Sequence, residues 1–219
     1  MNVSEFAKMI DSSLLASTAT ESEVRELCNL AKYYGFATVA LGSAWIPLAA
    51  ELLAGSGVGV DAPVGFPLGY STTETKVFET EDAIKKGALE IDMVINLCFL
   101  KSGMYMPIKD EIRRVLDAAQ GHIVKVIIET CYLSQAEKIK AAEITADAGA
   151  NFVKTSTGFG PSGATVEDIR LLHKTVGDRI LVKASGGIRT FSQAMDLINA
   201  GATRLGASNA DMLAKAFEN

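Results

Sequence analysis

The chain has 219 residues, of which 48% are hydrophobic and 21% charged, and its 26 acidic against 21 basic residues give a formal net charge of -5. This composition excludes intrinsic disorder, and the acidic balance argues against nucleic acid as a partner because phosphate backbones are bound by clustered positive charge. The longest uncharged stretch, Phe36 to Ala50, is shorter than the roughly 20 apolar residues that a membrane span requires. We therefore expect no membrane partner.

The first residues and the cysteines indicate a cytoplasmic location. Charged residues occur in the first eleven positions, where a secretory signal peptide has its apolar run. The three cysteines, Cys28, Cys98 and Cys131, are odd in number, far apart and without a C-x-x-C pair. They predict reduced thiols rather than a disulfide framework.

Short aliphatic or β-branched runs alternate with longer segments of helical periodicity along the chain, which is typical of parallel βαβ units. With no linker rich in proline or serine, this alternation predicts an α/β fold, a single (β/α)8 TIM barrel that spans residues 1–219 as one domain, in preference to an open sheet with a second domain. The eight strands are predicted at Met9–Ser12, Phe36–Leu41, Val58–Val64, Glu90–Asn96, Ile123–Glu129, Asn151–Thr155, Ile180–Ser185 and Thr203–Gly206.

Hydroxyl residues mark the starts of several predicted helices. A serine or threonine at this position accepts a hydrogen bond from a free backbone N–H of the first turn. The predicted N-caps are Thr20, Thr73, Ser134 and Thr190.

The alternation of side chains within the strands predicts which residues point into the barrel. The outer face of the sheet is covered by helices and must be apolar, so the polar set of each strand faces the interior. By this rule Glu90 and Asp92 point inward, and so do the lysines Lys125, Lys154 and Lys183. Three lysines and several carboxylates therefore converge inside one barrel.

Two of these lysines have the position expected of a catalytic group. Lys154 precedes Thr-Ser-Thr-Gly and Lys183 precedes Ala-Ser-Gly-Gly, so both lie near the C-terminal mouth, where barrel active sites are built. Two facing ammonium groups disfavour each other's charge, which can leave one neutral amine as a carbonyl nucleophile, with Asp92 as proton shuttle. Lys125 lies mid-strand and is expected to be a structural ion-pair partner of Glu90 or Asp92.

The loops after the last two predicted strands indicate an anion site. Ser185–Arg189 and Gly206–Asn209 supply small residues and backbone N–H groups at helix starts, where barrels bind phosphate. Without a complete Walker A motif or a basic cluster, the expected anion is a single phosphate monoester.

Metal chemistry receives little support from the sequence. The two histidines, His122 and His173, are far apart, and neither an H-E-x-x-H motif nor a carboxylate cluster is recognisable. We therefore expect no metal and no cofactor, with carbonyl activation through an imine.

One glycine pattern favours a different class of function. Gly158–Gly163 satisfies G-x-G-x-x-G between a strand and a helix, with Asp178 further on, as in an NAD-binding oxidoreductase. Two features disfavour this alternative: Asp178 precedes the next strand instead of ending it, and the unit begins past the middle of the chain.

Several long segments resemble the deoxyribose-phosphate aldolase family. They include Glu-Ile-Asp-Met-Val-Ile-Asn around Asp92, Asn-Phe-Val-Lys-Thr-Ser-Thr-Gly-Phe-Gly around Lys154 and Val-Lys-Ala-Ser-Gly-Gly-Ile-Arg-Thr around Lys183. The resemblance implies a class I aldolase that joins acetaldehyde and glyceraldehyde 3-phosphate, with Lys154 forming the Schiff base, Lys183 lowering its pKa and Asp92 relaying protons. It also implies phosphate-binding residues, which are Gly158, Gly186, Gly187, Gly206 and Ser208.

The chain departs from the usual family pattern at several strand ends. The departures are Ser12-Ser13, Ala40, Gly42-Ser43, Ala62-Pro63, Tyr70, Cys98-Phe99, Asn209 and an ending without a tyrosine. They indicate the same imine chemistry on different aldehydes as an alternative. The expected partners are a small aldehyde or sugar-phosphate substrate and a second copy of the chain in a homodimer.

Overall fold

The computed structural model describes residues 1–218, and its eight parallel strands form a closed barrel in chain order. The strands are β1 (Ile10–Leu14), β2 (Thr38–Leu41), β3 (Gly59–Val64), β4 (Glu90–Val94), β5 (Ile123–Ile127), β6 (Phe152–Lys154), β7 (Leu181–Ser185) and β8 (Arg204–Ala207). Because β1 pairs with both β2 and β8, the sheet has no free edge. The predicted TIM barrel is confirmed; its extent as one domain over residues 1–219 stays a prediction, and Asn219 lies outside the described residues.

Helices connect the strands and cover the barrel. They are α1 (Val3–Ala7), α2 (Glu21–Tyr34), α3 (Ile46–Leu53), α4 (Thr73–Lys85), α5 (Leu97–Lys101), α6 (Tyr105–Ala118), α7 (Gln135–Ala148), α8 (Val166–Val176), α9 (Phe191–Asn199) and α10 (Ala210–Glu218). Within the described chain, no helix is both long and apolar enough to cross a membrane.

The strand ends differ from the predicted bounds where side chains or backbone conformation end the sheet. β4 ends at Val94 rather than Asn96, because the Asn96 side chain caps α5 and accepts a hydrogen bond from the Phe99 N–H at 3.2 Å. β5 ends at Ile127 rather than Glu129, because Glu129 adopts a left-handed conformation with φ of 50°.

Three of the four predicted N-caps are confirmed. The hydroxyl groups of Thr20, Ser134 and Thr190 accept hydrogen bonds from the third residue of their helices. The prediction for Thr73 is wrong by one position, since Thr72 caps α4 and Thr73 is its first helical residue. The helix therefore begins where the first of two adjacent threonines satisfies a backbone N–H.

The predicted alternation of β4 and β5 holds in the structure. Ile91, Met93, Val124 and Val126 are fully buried in the apolar core. The intervening polar residues form ion pairs with residues of other strands inside the barrel. Since all strands run in one direction, their carboxyl ends and the loops that follow them lie at one mouth.

Candidate active site

Lys154 and Lys183 meet on one carboxylate oxygen. They lie on the adjacent strands β6 and β7, where their positions are paired in register. The Asp92 Oδ2 atom of β4 accepts hydrogen bonds from Lys154 Nζ at 2.5 Å and from Lys183 Nζ at 2.7 Å. The structure therefore brings together the three side chains that the sequence analysis selected.

Lys183 is surrounded by carboxylates. Besides Asp92, its Nζ atom lies 2.5 Å from Asp11 Oδ2 and 3.1 Å from Asp61 Oδ2. Burial by itself disfavours the ammonium form, but the negative charges, with Asp11 foremost, outweigh burial and raise the pKa of Lys183 above its ordinary value. Lys183 is thus held as a cation.

Lys154 has the opposite electrostatic balance. Its side chain is 5% exposed, and burial is the main cause that lowers its pKa. The charge of Lys183 lowers the pKa further, whereas Asp92 opposes both effects and is outweighed. The pKa of Asp92 lies well below its usual range because three neighbouring lysines outweigh the cost of its burial. Lys183 therefore keeps its proton, whereas Lys154 loses its proton more easily.

Lys125 lies deeper in the barrel and contacts several acidic residues. Its Nζ atom is 2.7 Å from Glu90, 2.9 Å from Asp61 and 3.0 Å from Asp92, and its side chain has no exposed surface. The expected ion pairing with Glu90 or Asp92 is confirmed. Lys125 is not among the described residues that line the cavity at the mouth.

The expectation that no carboxylate cluster exists is wrong. Carboxylate oxygens of Asp11, Asp61 and Glu90 lie within 4.8 Å of one another and could together hold a cation. Their negative charge is already balanced in part by Lys125 and by Arg204, whose Nη1 atom lies 2.6 Å from Asp11 and 3.2 Å from Glu90. The cluster has no signature in the sequence, because its members come from β1, β3 and β4 and meet only when the barrel closes.

Three members of this network are not identified in the sequence analysis: the buried Asp11 and Asp61 and the partly buried Arg204, with Ile10 preceding Asp11 in β1. Each has apolar neighbours on at least one side in its strand, Val60 and Ala62 for Asp61 and Leu205 for Arg204. The alternation that identified Lys125 could therefore have identified them also.

The residues assigned to phosphate binding line one cavity with the lysines. The cavity has a volume of about 830 Å³ and opens at the mouth of the barrel. Its lining includes Lys154 and Lys183 together with all five of those residues, namely Gly158, Gly186, Gly187, Gly206 and Ser208. Gly186 and Gly187 have φ of 84° and 75°, a left-handed conformation that favours glycine.

Asn209 connects the two loops of this region. Its side-chain amide donates a hydrogen bond of 3.0 Å to the backbone carbonyl of Arg189, which lies in the loop after β7. Both residues line the cavity. Asn209 therefore links the loop after β8 to the loop after β7, next to the predicted anion site.

Only some of the departures from the family pattern face the cavity. Among the described residues, Ser13, Ala40 and Asn209 line it, whereas Tyr70 and Cys98 do not. The expectation that the departures concentrate in the pocket is therefore correct only in part. The described lining residues belong to β1, β2, β6, β7 and β8, to the loops after β1, β6, β7 and β8, and to α10, and none of them lies in the loops after β3 and β4.

Two aromatic rings meet beside the cavity. Phe66, after β3, and Phe159, after β6, pack edge to face with ring centroids 5.4 Å apart. Phe159 lines the cavity and is more than half exposed. The contact joins two loops whose strands are separated by β4 and β5.

The glycine pattern after β6 is explained by loop packing. A Cβ atom at Gly163 would lie 2.0 Å from the Gly186 carbonyl oxygen, and one at Gly160 would lie 2.7 Å from Cys131 Sγ. Asp178 lies in the turn between α8 and β7, at the opposite end of the barrel from the loops that follow the strands. It is therefore too remote to act with these glycines on one dinucleotide.

The closed barrel, with paired lysines and an acidic residue at its mouth, defines an enzyme equipped for amine chemistry on carbonyl compounds. The family model described as "DeoC/LacD family aldolase" matches residues 6–210. The chain belongs to this family and is an aldolase, a carbon–carbon lyase, so the oxidoreductase alternative is wrong.

Individual relatives agree with this assignment. A protein named deoxyribose-phosphate aldolase from Caldanaerobacter subterraneus subsp. tengcongensis is 56% identical over 205 residues, which cover 92% of this chain and 89% of that protein. A crystal structure described as a deoxyribose-phosphate aldolase from Coccidioides immitis has a TM-score of 0.97 at 39% identity, and the match covers 100% of this chain and 88% of that chain. A structure described as a tetrameric deoxyribose phosphate aldolase from Aeropyrum pernix has a TM-score of 0.93 at 32% identity, covering 100% and 93%.

Proposed function

We propose that this aldolase is of class I and reversibly joins acetaldehyde to glyceraldehyde 3-phosphate to give 2-deoxyribose 5-phosphate. The observation that carries the proposal is the sharing of one Asp92 oxygen by two lysines whose pKa values are displaced in opposite directions. The name of the relatives supplies the substrate.

In the proposed reaction, Lys154 Nζ attacks the acetaldehyde carbonyl carbon, and loss of water gives a protonated imine. The imine makes the former methyl group acidic, and loss of a proton gives an enamine whose carbon attacks the second aldehyde. Water then releases the product and restores the amine. Asp92 accepts and returns protons at Nζ, since its carboxylate oxygen lies 2.5 Å from that atom.

The phosphate of the second aldehyde would bind at the loops after β7 and β8. Gly158, Gly186, Gly187, Gly206 and Ser208 line that side of the cavity, where small residues leave the backbone accessible to an anion. Activity requires no metal in this scheme, because the imine activates the carbonyl compound.

The departures that face the cavity support a second candidate, the same imine chemistry on other aldehydes. Ser13, Ala40 and Asn209 are the positions that carry it. Rates of aldol addition measured over a panel of phosphorylated and unphosphorylated acceptors distinguish the two candidates. Preference for an unphosphorylated acceptor would favour the second.

Reductive trapping tests the nucleophile. Borohydride with acetaldehyde should leave an ethyl group on Lys154, located by peptide mapping, and Lys154→Leu should abolish both this adduct and turnover. Lys140→Leu, which removes a partly exposed surface lysine, is the matched control and should keep both. An adduct on Lys183 or Lys125, or full turnover by Lys154→Leu, would contradict the assignment.

We further propose a homodimer in the cytoplasm. The three cysteines are all unpaired, as in a reducing compartment. On α2, Tyr33 is 80% exposed and packs edge to face on Tyr34, and a subunit interface would cover this exposed ring. Light scattering on the purified protein measures the oligomeric state, and a mass of one chain or of four would contradict the dimer.

A further inference from the structure

Asp61 occupies a central position in the buried network. It lies on β3, has no exposed surface and contacts two lysines through the same oxygen, with Lys183 Nζ at 3.1 Å and Lys125 Nζ at 2.9 Å. Asp61 thus connects the lysine pair at the mouth of the barrel with Lys125, which lies deeper in the interior.

The two lysines at the mouth differ in how many carboxylates they contact. The ammonium group of Lys183 has three N–H donors and three carboxylate partners, Asp11, Asp61 and Asp92. Within the described residues, Lys154 forms an ion pair only with Asp92. A lysine with every N–H bound to an anion keeps its proton, whereas a lysine with one such partner gives it up more easily.

We propose that Asp61 is a positioning residue that completes the set of acceptors around Lys183 and so leaves Lys154 as the amine that reacts. This inference rests on the proposed function, in which Lys154 is the amine that forms the Schiff base. It adds a residue of β3 to the site, although Asp61 itself does not line the cavity.

Charged groups face Asp61 from every neighbouring part of the barrel interior. They are Asp11 on β1, Glu90 and Asp92 on β4, Lys125 on β5, Lys154 on β6, Lys183 on β7 and Arg204 on β8. Burial, followed by the charge of Asp92, raises the pKa of Asp61 to about 6. Above this pH Asp61 is ionised and can hold the Lys183 ammonium, and below it the interaction weakens.

Competitive acylation with acetic anhydride measures the reactivity of each amine without any aldehyde or turnover. We expect Asp61→Asn to raise the acylation rate of Lys183 relative to that of Lys154 at pH 9, because Asp61 contacts Lys183 at 3.1 Å and acts on Lys154 only from a distance. The ratio changes about tenfold for each pKa unit by which the two lysines draw together. Peptide mapping by mass spectrometry gives both rates from one sample. A merely looser barrel would expose both lysines and leave their ratio unchanged.

Glu90→Gln is the matched control. It also removes one buried negative charge, but Glu90 contacts Lys125 and Arg204 rather than Lys183. The ratio should stay at its wild-type value in this variant. Asp61→Ala is measured as well, so that the test does not depend on the folding of Asp61→Asn, which circular dichroism reports.

An unchanged ratio in a folded Asp61 variant, or an equal rise in Glu90→Gln, would overturn the inference. Failure of the proposed function has a separate signature, namely the absence of the borohydride adduct on Lys154 in the wild-type protein. The acylation ratio reads the proton affinities of the two amines in either case.

Discussion

Replacing Lys183 with methionine should raise the pKa of Lys154. Both Nζ atoms bond to the same oxygen of Asp92, at 2.5 and 2.7 Å, and therefore lie no more than about 5 Å apart. At an effective dielectric constant of about 20, two like charges at this distance repel by about 3 kcal/mol, equivalent to about two pKa units. Lys154 stays buried in the variant, so its pKa should rise by no more than this repulsion accounts for.

The pH dependence of kcat/KM for cleavage of 2-deoxyribose 5-phosphate checks this expectation. The free amine is the reactive form, so raising its pKa should shift the acidic limb of the profile of Lys183→Met upward by up to about two pH units. Activity should fall up to about 100-fold at pH values below that limb and recover in alkaline solution.

Lys183→Arg is the charge-conserving control, and its acidic limb should stay close to the wild-type position. If the acidic limb of the Lys183→Met profile lies at the same pH as that of the wild-type protein, the argument that repulsion by Lys183 lowers the pKa of Lys154 is refuted. An equal loss of rate at every pH would instead indicate that Lys183 acts by supporting the structure. Circular dichroism should verify that both variants are folded.

Three further outcomes are expected. Gly187→Asp should raise KM for glyceraldehyde 3-phosphate far more than for glyceraldehyde, because a carboxylate would enter the anion site. Gly187→Asn places an uncharged side chain at the same φ of 75° and should change KM for both substrates similarly. Turnover should survive EDTA, and a loss that a divalent cation restores would contradict the imine scheme. Lys76→Met should lower the free energy of unfolding by about 3–5 kcal/mol because it leaves buried Glu111 unpaired, and the double variant Lys76→Met/Glu111→Leu should recover part of it in urea titrations.

Much of the architecture follows from local properties of the sequence. The alternation of apolar and polar residues placed the strands to within two residues at each end. It also directed Lys125, Lys154, Lys183 and Asp92 inward, because a strand has a period of two and the helices cover one face. The small residues in the loops after β7 and β8 predicted one wall of the cavity. These features depend on neighbours a few positions apart and are legible in one chain.

The pairing of charges was decided by the tertiary structure. Lys183 contacts Asp61 across 122 positions and Arg204 contacts Asp11 across 193, and these contacts exist only because the sheet closes with a particular register. The same closure gives Lys183 three carboxylates and Lys154 one, so it separates two lysines that look equivalent in the sequence. Alternation within a strand tells which way a side chain points, but its partners depend on strands brought next to it from distant parts of the chain.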